Sequence, residues 1–172
     1  MLSAYTVRST ADDGSEGTLR WAITQSIQDG GLDTIVFDLP GNGVQRIDLT
    51  SPLPEITSPV VIDGTTQHGF GGTPLIQIDG SSLAEAQADG LVIKAGASMV
   101  RGLTVTGFSG AAILLRDGSG NLIVGNYLGL DASGQHAAPN GTGLRIVDSS
   151  SNLIGGGEPG QGNVISGNLG NG

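Results

Sequence analysis

The chain has no cysteine among its 172 residues. A disulfide framework, a thiolate metal site and a cysteine nucleophile are therefore excluded, although the compartment is not fixed by this. Aromatic residues make up 3%, so a core has to be built from Ile, Leu and Val. The two histidines, His68 and His136, lie in loop-like sequence, which argues against a histidine metal site or a serine–histidine triad. Positive charge is scarce. Seven Lys and Arg face sixteen Asp and Glu, giving a net charge of -9, and this disfavours nucleic acid and anionic membrane as partners. No run of about 18 apolar residues occurs, so membrane insertion is not expected. Met1-Leu2-Ser3-Ala4-Tyr5 lacks a basic and apolar export signal; an exported protein would have lost its signal ahead of Met1.

Glycine, by contrast, is abundant. The 31 glycines alternate with short β-branched and aliphatic stretches, a pattern of many short strands. Asn121-Leu122-Ile123-Val124-Gly125-Asn126-Tyr127-Leu128 is apolar at alternate positions and is broken once by glycine. Ser98 to Val105 keeps the same beat, and Asn152 to Gly156 and Asn163 to Asn168 restate its two halves. Another small strand precedes each copy: Gly90 to Lys94, Ala112 to Arg116, and Gly143 to Val147. The step is 23 residues from Ser98 to Asn121 and 31 from Asn121 to Asn152, with Leu130 to Thr142 as the longer loop. Such periods predict stacked repeats, a solenoid.

Strand residues alternate faces. Leu91, Ile93, Ile113, Leu115, Leu144 and Ile146 are expected to point inward from the first strand of each repeat. Val100, Ile123 and Ile154 form the next inward column, and Val105, Leu128 and Ile165 the third. Ser98, Asn121 and Asn152 fall at one corner and Asn126 and Asn163 at another, where side-chain amides are expected to form a hydrogen-bonded structural ladder. Gly102 and Gly125 permit the sharp corner. One amphipathic helix is expected near the N-terminus: Thr18 is the N-cap, Leu19, Ala22, Ile23 and Ile27 share a face, and Asp29-Gly30-Gly31 ends it. Its expected role is to cover the first repeat.

The Asn-x-Ile-x-Gly-Asn-x-Leu pattern resembles the repeat of right-handed parallel β-helix proteins of the pectin-lyase-like superfamily. Gly17-Thr18-Leu19-Arg20-Trp21-Ala22-Ile23, followed by Asp33-Thr34-Ile35-Val36-Phe37, resembles the N-terminal cap of large bacterial secreted and surface proteins of that type. The resemblance implies an all-β fold: a right-handed, single-stranded parallel β-helix of about four rungs with an N-terminal capping α-helix. It implies one domain over 1–172, with a cap at 1–32, irregular first rungs at 33–89, regular repeats at 90–168, and the start of a further rung at 169–172. It also implies secretion or display at the cell surface.

The resemblance is specific for fold and poor for function, because the superfamily includes lyases, hydrolases, epimerases, tailspikes and adhesins. Its enzymes work along the outer face of the first strand column. Lys94, Arg116 and Arg145 are expected on that strip, where they would hold the carboxylates of an acidic polysaccharide. Long cations that keep a flat strand face soluble are the structural alternative. Asp117 and Asp148 occupy equivalent places beside the strip and are the candidate catalytic acid and base; each also begins a turn, where aspartate commonly bonds its own backbone. The carboxylate cluster of the calcium-dependent lyases is not matched, so no cofactor or metal is expected and calcium lacks a motif. Gly155, Gly157 and Gly160 satisfy G-x-G-x-x-G without a following helix. Asn140-Gly141-Thr142 is an N-glycosylation sequon. A non-catalytic structural or adhesive segment of a larger protein is the leading expectation, and a carbohydrate-active fragment the alternative. Polysaccharide is the expected partner class. An end-to-end homodimer through the uncovered C-terminal rung, or truncation from a longer array, is the expectation for that end.

Overall fold

A computed structural model describes residues 2–172. Short aliphatic stretches between glycine and asparagine corners form fourteen strands, two to six residues long, among the described residues. Six lie side by side in the first sheet: β1 (Ala4–Val7), β2 (Asp33–Phe37), β4 (Val60–Asp63), β7 (Met99–Arg101), β10 (Leu122–Val124) and β13 (Leu153–Ile154). The second sheet runs β3 (Gln45–Asp48), β5 (Ile76–Asp79), β8 (Leu103–Thr106), β11 (Tyr127–Leu128) and β14 (Val164–Ile165). The third holds β6 (Leu91–Ile93), β9 (Ala111–Arg116) and β12 (Thr142–Val147). All pairings within these sheets are parallel. From β4 onward the chain visits first, second and third sheet in rotation.

These findings correct the expected fold class. The all-β right-handed β-helix, with its solenoid and its repeat-family label, gives way to an α/β arrangement of three separate, open, all-parallel sheets and one helix. The physical reason lies in what a repeat reports. In-register columns of Ile and Asn arise in any parallel sheet that takes one strand from each repeat. Spacing identifies which residues become neighbours, but not whether the sheets join into one coil.

The core follows from the register. Val100 pairs with Ile123 and Ile123 with Ile154; Val105 pairs with Leu128 and Leu128 with Ile165; Leu91 pairs with Ile113 and Ile113 with Leu144. Like side chains stack between strands about 4.8 Å apart, and Ile35, Ile62, Ile78, Val100 and Ile123 are fully buried. Each side chain of this kind contributes about 2 kcal/mol on burial.

The helix, α1 (Leu19–Asp29), starts where expected. Thr18 Oγ1 accepts the Trp21 amide hydrogen bond, and Gly30 closes the other end at φ 67°. Leu19, Ala22 and Ile23 are buried, and the helix packs against β1 and β2. Arg20 fastens it: Nε and Nη2 donate to Asp12, while Nη1 and Nη2 reach the carbonyls of Pro52 and Ser51. Asp12 also accepts from the amide and hydroxyl of Thr50.

Candidate functional site

On the third sheet Arg116 ends β9 and Arg145 lies within β12, while Lys94 directly follows β6. Arg116 pairs with Val147, whereas Arg145 stands opposite Leu114, two residues earlier on β9. Lys94 Nζ is 2.8 Å from Glu55. Arg145 reaches back across β9 to Asp89, 2.9 Å away, and Asp89 also accepts the Ala111 amide. Leu114 on the intervening strand is 1% exposed although its neighbours in the strand face the core. Two of the three cations are thus engaged with carboxylates of this chain; Arg116 makes no ion pair among the described residues.

Asp117 and Asp148 follow Arg116 and Val147 at matching places. Both have left-handed backbones, φ 65° and 49°, a conformation in which aspartate is over-represented among non-glycine residues. Both are exposed, and neither carboxylate accepts a hydrogen bond among the described residues. Neither is within hydrogen-bond reach of a second polar side chain that could orient it for general acid–base work. His68 and His136 are exposed in loops. Among the described residues no group of three His, Cys, Asp or Glu is placed to hold a metal, and no helix is long and apolar enough to cross a membrane.

The asparagine columns have a defined chemistry. Ser98 N donates to Asn121 Oδ1, and Asn121 N to Asn152 Oδ1, each at 3.0 Å. Likewise Leu103 N donates to Asn126 Oδ1 and Asn126 N to Asn163 Oδ1. The side-chain NH2 of Asn126 donates to the Val100 carbonyl, and that of Asn163 to the Ile123 carbonyl. Each side chain therefore satisfies backbone groups that the corner takes out of the sheet ladder. A third column, Asn140 and Asn168, does the same for Phe108 N and for the Val105 and Leu128 carbonyls. Asn140 is fully buried, which removes the sequon from use in the folded protein. Asp33 heads the first column, accepting from Ser3 N with Oδ1, while its buried Oδ2 has no partner among the described residues.

A feature without a signal in the repeats lies at the corner between the first and second sheets. Asp63, Arg101 and Val124 are cross-strand neighbours. Arg101 Nη2 donates to Asp63, whose other oxygen is fixed by the amide and hydroxyl of Thr65. Burial alone would raise the Asp63 carboxyl; the hydrogen bonds from Arg101 and Thr65 outweigh it and hold the group below its ordinary value. Arg101 Nε is buried with no acceptor. Beside this pair is a groove of about 410 Å³ lined by Thr65, Phe70, Arg101, Val124, Pro159 and Gln161. Its floor is backbone: Gly102 and Gly125 have φ 67° and 64°, and a Cβ on Gly125 would meet the Gly160 carbonyl oxygen at 2.6 Å. The residues that build it are 38 apart in the case of Asp63 and Arg101. Of the glycines singled out in the sequence, Gly102, Gly125 and Gly160 line this groove.

No family model matches the chain. Over 86 residues, 49% of the chain, it is 36% identical to a 3-dehydroshikimate dehydratase of Acinetobacter baylyi. The matched part is 17% of the length of that curated relative.

Proposed function

We propose that this chain is a non-catalytic structural or adhesive segment of a larger secreted or cell-surface protein. The observation that carries the reading is the state of the candidate catalytic groups. Asp117 and Asp148 are exposed at left-handed turns without partners, and two of the three strip cations, Lys94 and Arg145, are tied to Glu55 and Asp89. The resemblance of Gly17–Ile23 and Asp33–Phe37 to the opening of bacterial secreted and surface proteins supports the setting. Assays for lyase action and reducing-sugar release on acidic polysaccharides are expected to show no turnover. Turnover abolished by Asp117→Asn or Asp148→Asn overturns the reading.

A second reading, that the chain is a piece of an enzyme rather than a structural segment, draws on the similarity of half the chain to the 3-dehydroshikimate dehydratase. Incubation with 3-dehydroshikimate itself tests that similarity directly. Dehydration at a rate above a heat-denatured control is the result in its favour.

A further inference from the structure

We propose that the corner groove beside Arg101 is a binding subsite for one unit of a neutral saccharide. The inference rests on the non-catalytic, adhesive reading and gives it a ligand-holding site, on a different sheet face from the Lys94–Arg116–Arg145 strip.

Three observations carry it. The first is an oriented donor with capacity to spare. Asp63 holds Nη2 and fixes the guanidinium, Nη1 makes no hydrogen bond among the described residues, and 43% of the Arg101 side chain remains exposed. A guanidinium offers five N–H donors, so the planar fork presents unused N–H groups to whatever enters.

The second is the mixture of surfaces. Phe70, half-buried and outside the main core, supplies an aromatic wall, with Val124 and Pro159 beside it. Pockets of this kind combine apolar walls with a few placed polar groups. The C–H face of a pyranose suits the ring, and its hydroxyl oxygens suit the arginine and Gln161. The third is access. Gly72 and Gly160 would accept a Cβ with nothing within 4 Å, so the groove is open on their side although its Gly102–Gly125 floor is close-packed.

Charge decides the class of saccharide. Arg101 is the one charged residue lining the groove, and its charge is already balanced by the Asp63 carboxylate. The whole chain carries a net charge of -9. A uronate or sulfate would bring a charge that the site does not neutralise into a field that opposes it. A neutral hydroxyl needs only the donors.

The test is a titration of the intact chain with cellotriose, maltotriose and mannotriose, and separately with trigalacturonate, followed by backbone amide NMR. At least one neutral trisaccharide is expected to shift the Gly102, Gly125 and Gly160 amides saturably. Phe70→Ala and Arg101→Lys are each expected to weaken that binding by about tenfold or more. Arg101→Lys keeps a cation near Asp63, and Phe70 lies outside the core, so both variants are expected to fold; Arg116→Ala, on the other sheet, is expected to bind as the parent does. Shifts confined to the surroundings of Lys94, Arg116 and Arg145, tighter binding of trigalacturonate in the groove, or no shift at these three glycines with any sugar would each overturn the proposal. Failure of this kind is distinguishable from failure of the adhesive reading, which is judged by co-sedimentation of the unmodified chain with insoluble cell-wall polysaccharide.

Discussion

Ile123 and Ile154 are the same residue type, in the same column, on neighbouring strands. Ile123 is fully buried and Ile154 is 37% exposed. Asn126 and Asn163 differ in the same way: the first is fully buried, and the second is half-buried. The contrast belongs to one end of each sheet; at the opposite edges, β1, β3 and β6, Val7, Ile47 and Leu91 are fully buried. Strands β7 to β11 have a paired neighbour on both sides, whereas β12, β13 and β14 have one among the described residues. At the β12–β14 edge, what a residue contributes is therefore set by whether anything packs over its strand more than by its own identity. Parallel sheets reward this arrangement only in the interior, because edge strands leave backbone groups and apolar faces unpaired.

The sharpest way to break the comparison is a charge in each position. Ile123→Asp should cost at least about 4 kcal/mol and unfold the chain at room temperature, since it buries an unpaired carboxylate between Val100 and Ile154. Ile154→Asp should cost no more than about 1 kcal/mol, because water reaches that side chain. Urea unfolding followed by circular dichroism reads both; equal midpoints would mean that position within the sheet does not govern burial energy.

Next comes the junction that fastens the helix. Arg20→Ala strands Asp12, whose side chain is 1% exposed, and should cost about 3 kcal/mol by breaking a buried pair. The same junction sets an acid limit. Burial would raise the Asp12 carboxyl, but Arg20 and Thr50 hold it below its ordinary value, and Asp63 is held low in the same sense. Groups with depressed folded-state values add stability that is complete above the unfolded value, about 3.9, and is lost as pH falls through the folded value. Melting temperature should therefore be level above about pH 5 and fall below about pH 4. A melting temperature that rises below pH 4 would show these carboxylates to be unpartnered in solution.

The asparagine corners sharpen the comparison further. Asn126→Ala should cost about 2 kcal/mol, since it abandons the buried Leu103 amide and Val100 carbonyl, against less than about 1 kcal/mol for Asn163→Ala. Asp33→Asn is the reverse case. It should stabilise by about 1 kcal/mol, because a neutral amide replaces a buried carboxyl group whose Oδ2 has no partner among the described residues. Arg116→Ala closes the series at no more than about 0.5 kcal/mol.

Much of the packing was legible in the sequence, because alternation and a 23-residue step name neighbours directly. Val100, Ile123 and Ile154 could be placed in one column without coordinates, as could the Asn121–Asn152 pair, and Thr18 announced the start of α1. The fold class was not legible, since columns are indifferent to whether three sheets are joined or separate. Asn140 and Asn168 were missed because the Leu130–Thr142 loop displaces them from the common step. Asp33 was missed because its column had been defined by serine and asparagine. The Arg145–Asp89 and Arg101–Asp63 pairs are 56 and 38 residues apart, and neither obeys a period. What alternation could not give for the basic strip is its partners: Lys94 and Arg145 are tied to Glu55 and Asp89, and neither pairing obeys a period.

The loop at residues 130–138 leaves the second sheet and returns almost to its starting point. Leu130 pairs with Ala137 in an antiparallel bridge, and the Ala138 amide donates to the Gly129 carbonyl. On either side of it the first asparagine column advances by 31 residues where the preceding step took 23, yet the hydrogen bonds have the same length, 3.0 Å. Chain length is therefore a free variable at this corner and a fixed one in the strands. For an evolving gene, insertions here cost little, while a single added residue in β10 would turn the rest of that strand about face. For an engineer, the same corner is a place to mount a peptide epitope on a frame that does not register its presence.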